Sequence, residues 1–251
     1  MPRMLTVTRG VVLVAVAGWT LAACTPPLPP DVLAAQAETN ITCQSGDVAV
    51  NVSEDFVGAM GAVGAGLAGV CPEQTVTEVQ GQANAPLQLV DRAPTAEEIA
   101  AFTTAACPTG TVIVVPAFGY AVALSYDIIG LEGIVLTPQA IAGMLSGTVT
   151  SWEDPLITEP NADYDLTLLP EVSVLSVEAP QGAVEAMTAW LTAGDPAAWT
   201  AGQVGTLSVG TTFPTQADLL GELTLTEGTV AVIPAFSAVN NGMPVAAVPV
   251  G

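Results

Sequence analysis

The side chains with which this chain could do chemistry are nearly all carboxylates: there are 24 aspartates and glutamates, no histidine, and only Arg3, Arg9 and Arg92 as bases. Without histidine, Ser-His-Asp and Cys-His catalysis and histidine zinc sites are excluded. Without lysine, so are a P-loop and a lysine Schiff base. The adjacent pairs Glu54/Asp55, Glu97/Glu98 and Glu153/Asp154 have the residue types of paired-carboxylate catalysis, but neighbours on a helix point in different directions. Their placement fits helix N-termini, where the dipole favours negative charge. Residues 64–69, Gly-Ala-Gly-Leu-Ala-Gly, match GxGxxG, yet the first glycine falls well inside a helix instead of at a strand end. A glycine-rich helix packed closely on a sheet is expected there. Carboxylates alone would suit calcium, but no Asp-x-Asp-x-Asp-Gly loop is present, so no metal and no cofactor is expected. A net charge of −21 without a basic patch excludes nucleic acid and anionic lipid as partners. Trp190 and Trp199 are expected in the core, and an enzyme is not expected.

The elements that position these groups follow an address. Arg3 and Arg9 precede a short apolar run over residues 11–21, and Leu21-Ala22-Ala23-Cys24 matches a lipobox. Residues 1–23 therefore read as a bacterial lipoprotein signal peptide, with Cys24 as the lipidated residue. Residues 24–44 read as a tether that begins with the stiff run Thr-Pro-Pro-Leu-Pro-Pro. The expected location is the extracytoplasmic face of the cell membrane, with the lipid anchor as the only membrane contact. Loss of Arg3 and Arg9 takes the charge from −21 to −23 and leaves Arg92 as the sole base. That compartment permits disulfides. Cys43, Cys71 and Cys107 each precede a predicted strand, so a bridge from Cys43 to Cys71 or to Cys107 is expected.

From about residue 45 onward, strand-like and helical runs alternate. Strands are expected over 46–52, 75–79, 112–115, 121–126, 172–177 and 230–233. Helices are expected over 54–70, 96–106, 137–146 and 182–191. Thr95 with Glu98 forms a capping box for the second, and Pro138 stands at the first position of the third. Continuous apolar strands alternating with helices imply an α/β fold with a parallel or mixed sheet covered on both faces.

Residues 119–127 (Gly-Tyr-Ala-Val-Ala-Leu-Ser-Tyr-Asp) lead into 136–155, Leu-Thr-Pro-Gln-Ala-Ile-Ala-Gly-Met-Leu-Ser-Gly-Thr-Val-Thr-Ser-Trp-Glu-Asp-Pro. This stretch resembles the phosphate-binding protein of bacterial phosphate ABC transporters, with its Leu-Ser-Pro helix and Trp-Asn-Asp-Pro turn. Residues 188–199, 228–233 and 241–246 look like further segments of the same family. The resemblance covers about residues 46–251 and implies a two-lobe periplasmic-binding-protein-like fold, with mixed sheets covered by helices and an abbreviated C-terminus. By that likeness, residues 45–118 with 234–251 form lobe 1 and 119–233 form lobe 2. The chain crosses between them near 116–121 and 233–236.

The resemblance also places the ligand loops. Asp55 and Phe56 stand where the family has Thr-Phe. Asp91 and Arg92 stand in the family's Ser-Asp-Ala-Pro segment, and Gln181 and Gly182 in its Arg-Ser-Asp-Gly-Ser-Gly-Thr loop, with Glu178 nearby. Residues 80–85 replace a Gly-Ser-rich loop. Arg92 is the expected anion contact, and Asp55, Asp91 and Glu178 are expected to repel phosphate. Two functions follow as expectations. One is a solute-binding lipoprotein that takes phosphate or another oxyanion for an ABC permease. The other is a ligand-inactive relative that keeps the fold as a cell-envelope interaction module, and an acidic cleft would also suit a neutral or cationic ligand.

Overall fold

A computed structural model describes residues 42–249. The signal peptide, Cys24 and most of the tether lie outside them. Within them the chain builds two sheets. In the first, β1 (Gly46–Val52) lies between β2 (Gln74–Val79) and β3 (Leu87–Leu89), all parallel. Helix α1 (Ala59–Val70) joins β1 to β2 as the crossover a parallel pair needs. Helix α2 (Ala96–Ala106) follows β3 and begins with the expected capping box, Thr95 accepting from the Glu98 N–H and Glu98 from the Thr95 N–H.

The second sheet runs β4 (Val122–Tyr126), β7 (Thr229–Pro234), β5 (Ser173–Val177), β6 (Thr211–Phe213), with β4 antiparallel to β7 and the other pairs parallel. Alternating side chains of its strands feed two cores. Leu124, Tyr126, Val174, Val230 and Val232 pack with α3 (Pro138–Ser146) and α5 (Gly182–Gly194). Leu175, Val177, Ala231 and Ile233 pack with α6 (Gln216–Leu223) and α7 (Ala235–Asn240). This is a sheet covered on both faces, so every residue of β7 is buried. A short helix, α4 (Pro155–Thr158), is capped by Asp154. The architecture is mixed α/β, with two sheets covered by helices. No helix among the described residues is long and apolar enough to cross a membrane.

Several expectations fail for physical reasons. The run 54–70 is not one helix: a single turn at Glu54–Phe56 is followed by Gly58 at φ +87°, a left-handed conformation that ends the turn and restarts the chain as α1. The glycines of 64–69 do not serve close packing, because a Cβ at Gly64, Gly66 or Gly69 would meet nothing within 4 Å. Residues 112–115 form no strand. Ile113 and Val115 are 79% and 69% exposed, and Pro116 removes the next ladder donor. Trp190 lies on the outer side of α5 and is exposed, whereas Trp199 is buried. Part of the segment expected in lobe 1 pairs with the second sheet instead. The Ala246 N–H donates to Leu124 O, the Ala247 N–H to Ile134 O, and the Ser125 hydroxyl to Pro244 O.

A disulfide joins Cys43 to Cys71, with Cα atoms 5.3 Å apart, and Cys107 remains a free thiol. It ties the N-terminal entry of the described chain to the end of α1. Because it closes a separation of 28 residues, replacing both cysteines by serine should lower unfolding stability by about 3 kcal/mol. Urea denaturation under oxidising conditions checks this, and an unchanged midpoint would contradict it.

Candidate functional site between the two sheets

The site lies where the C-terminal ends of β1 and β3 meet the N-terminal ends of α5 and α6. Both strands hand over to short loops there, as parallel strands do at their carboxyl ends. After β1 the chain turns through Glu54, Asp55 and Phe56; after β3 it reaches Asp91 and Arg92. Phe56 anchors the first turn. It is 2% exposed, and its ring lies 5.1 Å from Phe118, 5.3 Å from Tyr120 and 6.0 Å from Phe236. Phe118 and Tyr120 come from the crossing segment and Phe236 from α7, so this aromatic cluster sits at the junction of the two halves. It fixes the acidic turn against the crossing segment and α7.

The carboxylates there bind helix ends. Asp91 Oδ2 accepts from the Gly182 N–H at 2.5 Å, the first amide of α5. Glu54 Oε2 accepts from the Gln216 N–H at 2.6 Å, the first amide of α6. Each helix thereby has an otherwise orphan amide and its positive dipole end met by an anion from the other half of the molecule. Glu54 thus meets a helix N-terminus as its sequence suggests, but the helix is one 162 residues away. The approach at α5 is very close: a Cβ on Gly182 would lie 2.2 Å from Asp91 O and 2.7 Å from the Tyr120 hydroxyl. That hydroxyl donates to Asp91 O at 3.0 Å. Gln181 donates from Nε2 to Gln216 Oε1 at 2.8 Å and links the two helix starts.

Asp55 is 6% exposed and stands beside Asp91. Burial first, then the neighbouring Asp91 carboxyl, then Glu54, push the Asp55 carboxyl up to about 7. The Tyr120 hydroxyl is pushed up for the same reasons, burial first and Asp91 next. Among the described residues, Asp55 Oδ1, Ser53 Oγ, Ser176 Oγ and Gln216 Nε2 are buried without a hydrogen-bond partner. These atoms belong to the turn after β1, the end of β5 and the start of α6.

Arg92 is already engaged. Its Nη2 and Nη1 reach the two Glu98 oxygens at 2.5 and 3.1 Å, and its Nε lies 3.8 Å from Glu185 Oε1. The forked hydrogen bond with Glu98 raises the Arg92 pKa and lowers that of Glu98. Its charge is therefore spread over one carboxylate of α2 and one of α5. The structure gathers Asp55, Phe56, Asp91, Gln181 and Gly182, and sets Arg92 beside them facing other carboxylates. Glu178 is exposed, with its N–H donated to Phe213 O. The 80–85 loop folds onto Asn51, which accepts from the Gln82 N–H. Sequence reasoning missed Tyr120, Glu185, Gln216 and the interlobe role of Glu54. Only Thr215, a helix N-cap followed by Asp218, marks the start of α6 in the sequence.

No protein-family model matches the chain, and no curated protein matches it. Solved structures do. A protein assigned as a phosphate ABC transporter substrate-binding protein from Clostridium perfringens, with phosphate bound, is 16% identical with a TM-score of 0.53 and covers 81% of this chain and 76% of its own. A high affinity periplasmic phosphate-binding protein (PfluDING) with phosphate is 16% identical, TM-score 0.56, over 82% of this chain and 62% of that one. An ancestral soluble variant of the human phosphate binding protein is 18% identical, TM-score 0.55, over the same shares of 82% and 62%. The chain thus spans under two thirds of the last two. The fold is phosphate-binding-protein-like.

Proposed function

We propose that the protein is a solute-binding lipoprotein held by lipid on Cys24 at the extracytoplasmic face of the cell membrane, and that it delivers a small oxyanion to an ABC permease. The supporting observation is the pair of helix N-termini, at Gly182 and Gln216, that are linked by the Gln181–Gln216 side-chain hydrogen bond and each hold a carboxylate oxygen within 2.6 Å. Backbone N–H groups at a helix start are an anion seat irrespective of which oxyanion fills them. The residues of the site are Asp55, Phe56, Asp91, Arg92, Gln181 and Gly182, with Glu54, Tyr120 and Gln216 added by geometry.

A second reading, a ligand-inactive envelope module, is favoured by the source of those oxygens. Both belong to the protein, and Arg92 faces Glu98 and Glu185. A phosphate entering here meets Glu54, Asp55 and Asp91. Like charges about 4 Å apart repel by roughly 1 kcal/mol in water and several-fold more in a partly dried cleft. Calorimetric titration of residues 31–251 with inorganic phosphate separates the two readings. Heat with micromolar affinity supports import. No heat at millimolar phosphate, from a folded protein, overturns phosphate as the solute and favours the second reading.

A further inference from the structure

We propose that the cleft is self-liganded: the carboxylates of Asp91 and Glu54 occupy the oxyanion seats at the starts of α5 and α6 and latch the two halves of the molecule together without a solute. The proposal goes beyond the functional reading above and holds whether or not a solute is delivered.

Four observations carry it. The two carboxylates come from separate loops, after β3 and after β1, yet each meets the first amide of a different helix of the other half. In both a backbone N–H meets a carboxylate oxygen, the charge-assisted kind of hydrogen bond. The seats are built to be approached closely: at Gly182 the Asp91 carbonyl occupies the space a Cβ would need. Finally, the Gln216 side chain, 4% exposed, keeps an Nε2 donor with no partner, and Asp55, 6% exposed, keeps an Oδ1 acceptor with none. Two carboxylates on flexible side chains reach the two seats but leave neighbouring buried polar atoms unanswered. A tetrahedral oxyanion, with four oxygens, could accept from the Gln216 Nε2 donor as well as from a helix-start amide, and a protonated one could also donate to Asp55 Oδ1.

A tethered carboxylate has an advantage over a free anion, because closing the loop costs only conformational entropy and no loss of translational freedom. The latched form is then the resting state, and any free oxyanion must first displace Asp91. Vacating the seats has two consequences: the helix-start amides lose their acceptors, and they become available to an external anion.

The test uses the mature lipidated protein in neutral detergent, with the double variant Asp91→Ala/Glu54→Ala beside it. Amide hydrogen exchange over the segments containing Gly182 and Gln216 is followed with and without inorganic phosphate, and phosphate affinity is measured by calorimetry. The expected result is at least tenfold faster exchange at both segments in the variant, and reversal of that gain by phosphate. Phosphate affinity should rise at least tenfold over the unsubstituted protein. Unchanged exchange in the variant would overturn the latch. Faster exchange with no gain in phosphate affinity would overturn the assignment of the seats as oxyanion sites. Should the alanine pair lose its native circular dichroism, Asp91→Asn/Glu54→Gln serves the same test with charge removed and shape kept, with a smaller rise in exchange expected. Failure of the unsubstituted protein to bind phosphate bears on import alone, because the variant's gain is read against it.

Discussion

Alanine at position 182 should part the two halves of the molecule. The added Cβ would sit 2.2 Å from the Asp91 carbonyl oxygen, 2.7 Å from its carbon and 2.7 Å from the Tyr120 hydroxyl. Two of these atoms are backbone, which no rotamer change moves aside. Either α5 or the loop after β3 must retreat by about 1 Å, and a short hydrogen bond to a charged group does not survive that displacement. Losing such a bond costs about 1.5–3 kcal/mol, and overpacking adds about 1–3 kcal/mol where the backbone cannot relax. The expectation for Gly182→Ala is therefore a loss of about 2.5–6 kcal/mol, which for a chain of this size lowers the melting temperature by roughly 5–24 °C. Gly194→Ala is the control. It lies at the other end of the same helix with nothing within 4 Å of its added Cβ. There the better helix propensity of alanine should leave stability unchanged or raise it by up to about 1 kcal/mol. Calorimetric melting of the two variants measures the difference. Equal melting temperatures would show that the contact at Gly182 does not hold the halves together.

Replacing Asp55 by asparagine should stabilise the protein in alkaline buffer and do little in acid. The carboxyl is buried and faces Asp91 and Glu54, with the Tyr120 hydroxyl close by and Arg92 turned to Glu98 and Glu185. Its folded pKa of about 7 stands above the ordinary value of 3.8 that an unfolded chain would show. Between those values the folded state holds a proton that the unfolded state has released. Stability from this group is therefore intact below pH 4, falls as pH rises through the interval, and is fully lost above pH 7. Asparagine mimics the protonated form: it is neutral and its amide can donate to Asp91. The expected gain at pH 8 is on the order of 1–4 kcal/mol, with less than about 0.5 kcal/mol of change at pH 4. Urea denaturation of both proteins at the two pH values gives the comparison. A variant equally destabilised at both would mean that Asp55 is ionised in the native state and held there by hydrogen bonds. The general charge, −21 over the whole chain, also favours unfolding at high pH, but it is common to both proteins to within one unit.

The two substitutions act on opposite sides of the same contact. Gly182 provides the space into which the Asp91 backbone fits, and protonation of Asp55, whose carboxyl is pushed up to about 7, relieves its repulsion with Asp91 and Glu54. A lipoprotein receptor that had to release its own carboxylate before taking a solute would have its affinity lowered by the latched fraction. A module that only displays its closed form would need the latch and nothing more.

What depended on local forces was legible without coordinates. The capping box at Thr95 and Glu98, the Thr137 cap with Pro138 at the first helical position, and the strands 46–52 and 230–233 all follow from hydrogen bonding and apolar pattern within a few residues. Strand–helix alternation carried the α/β expectation, and the likeness of 119–155 to a known family carried the two-lobe one and brought attention to Asp55, Asp91 and Gly182. It could not say where their partners lie. Glu54 and Gln216 are 162 residues apart, and Asp91 and Gly182 are 91 apart; no periodicity links such pairs. An apolar run such as 112–115 has the pattern of a buried strand and becomes an exposed crossing, because burial depends on what packs beside it. Residues 244–247 went to the second sheet because β4 offered free backbone groups there. Local pattern and composition were enough for the α/β class and for the scarcity of positive charge. That the protein's own carboxylates sit on the helix ends emerges from the packing of two halves and not from any stretch of chain.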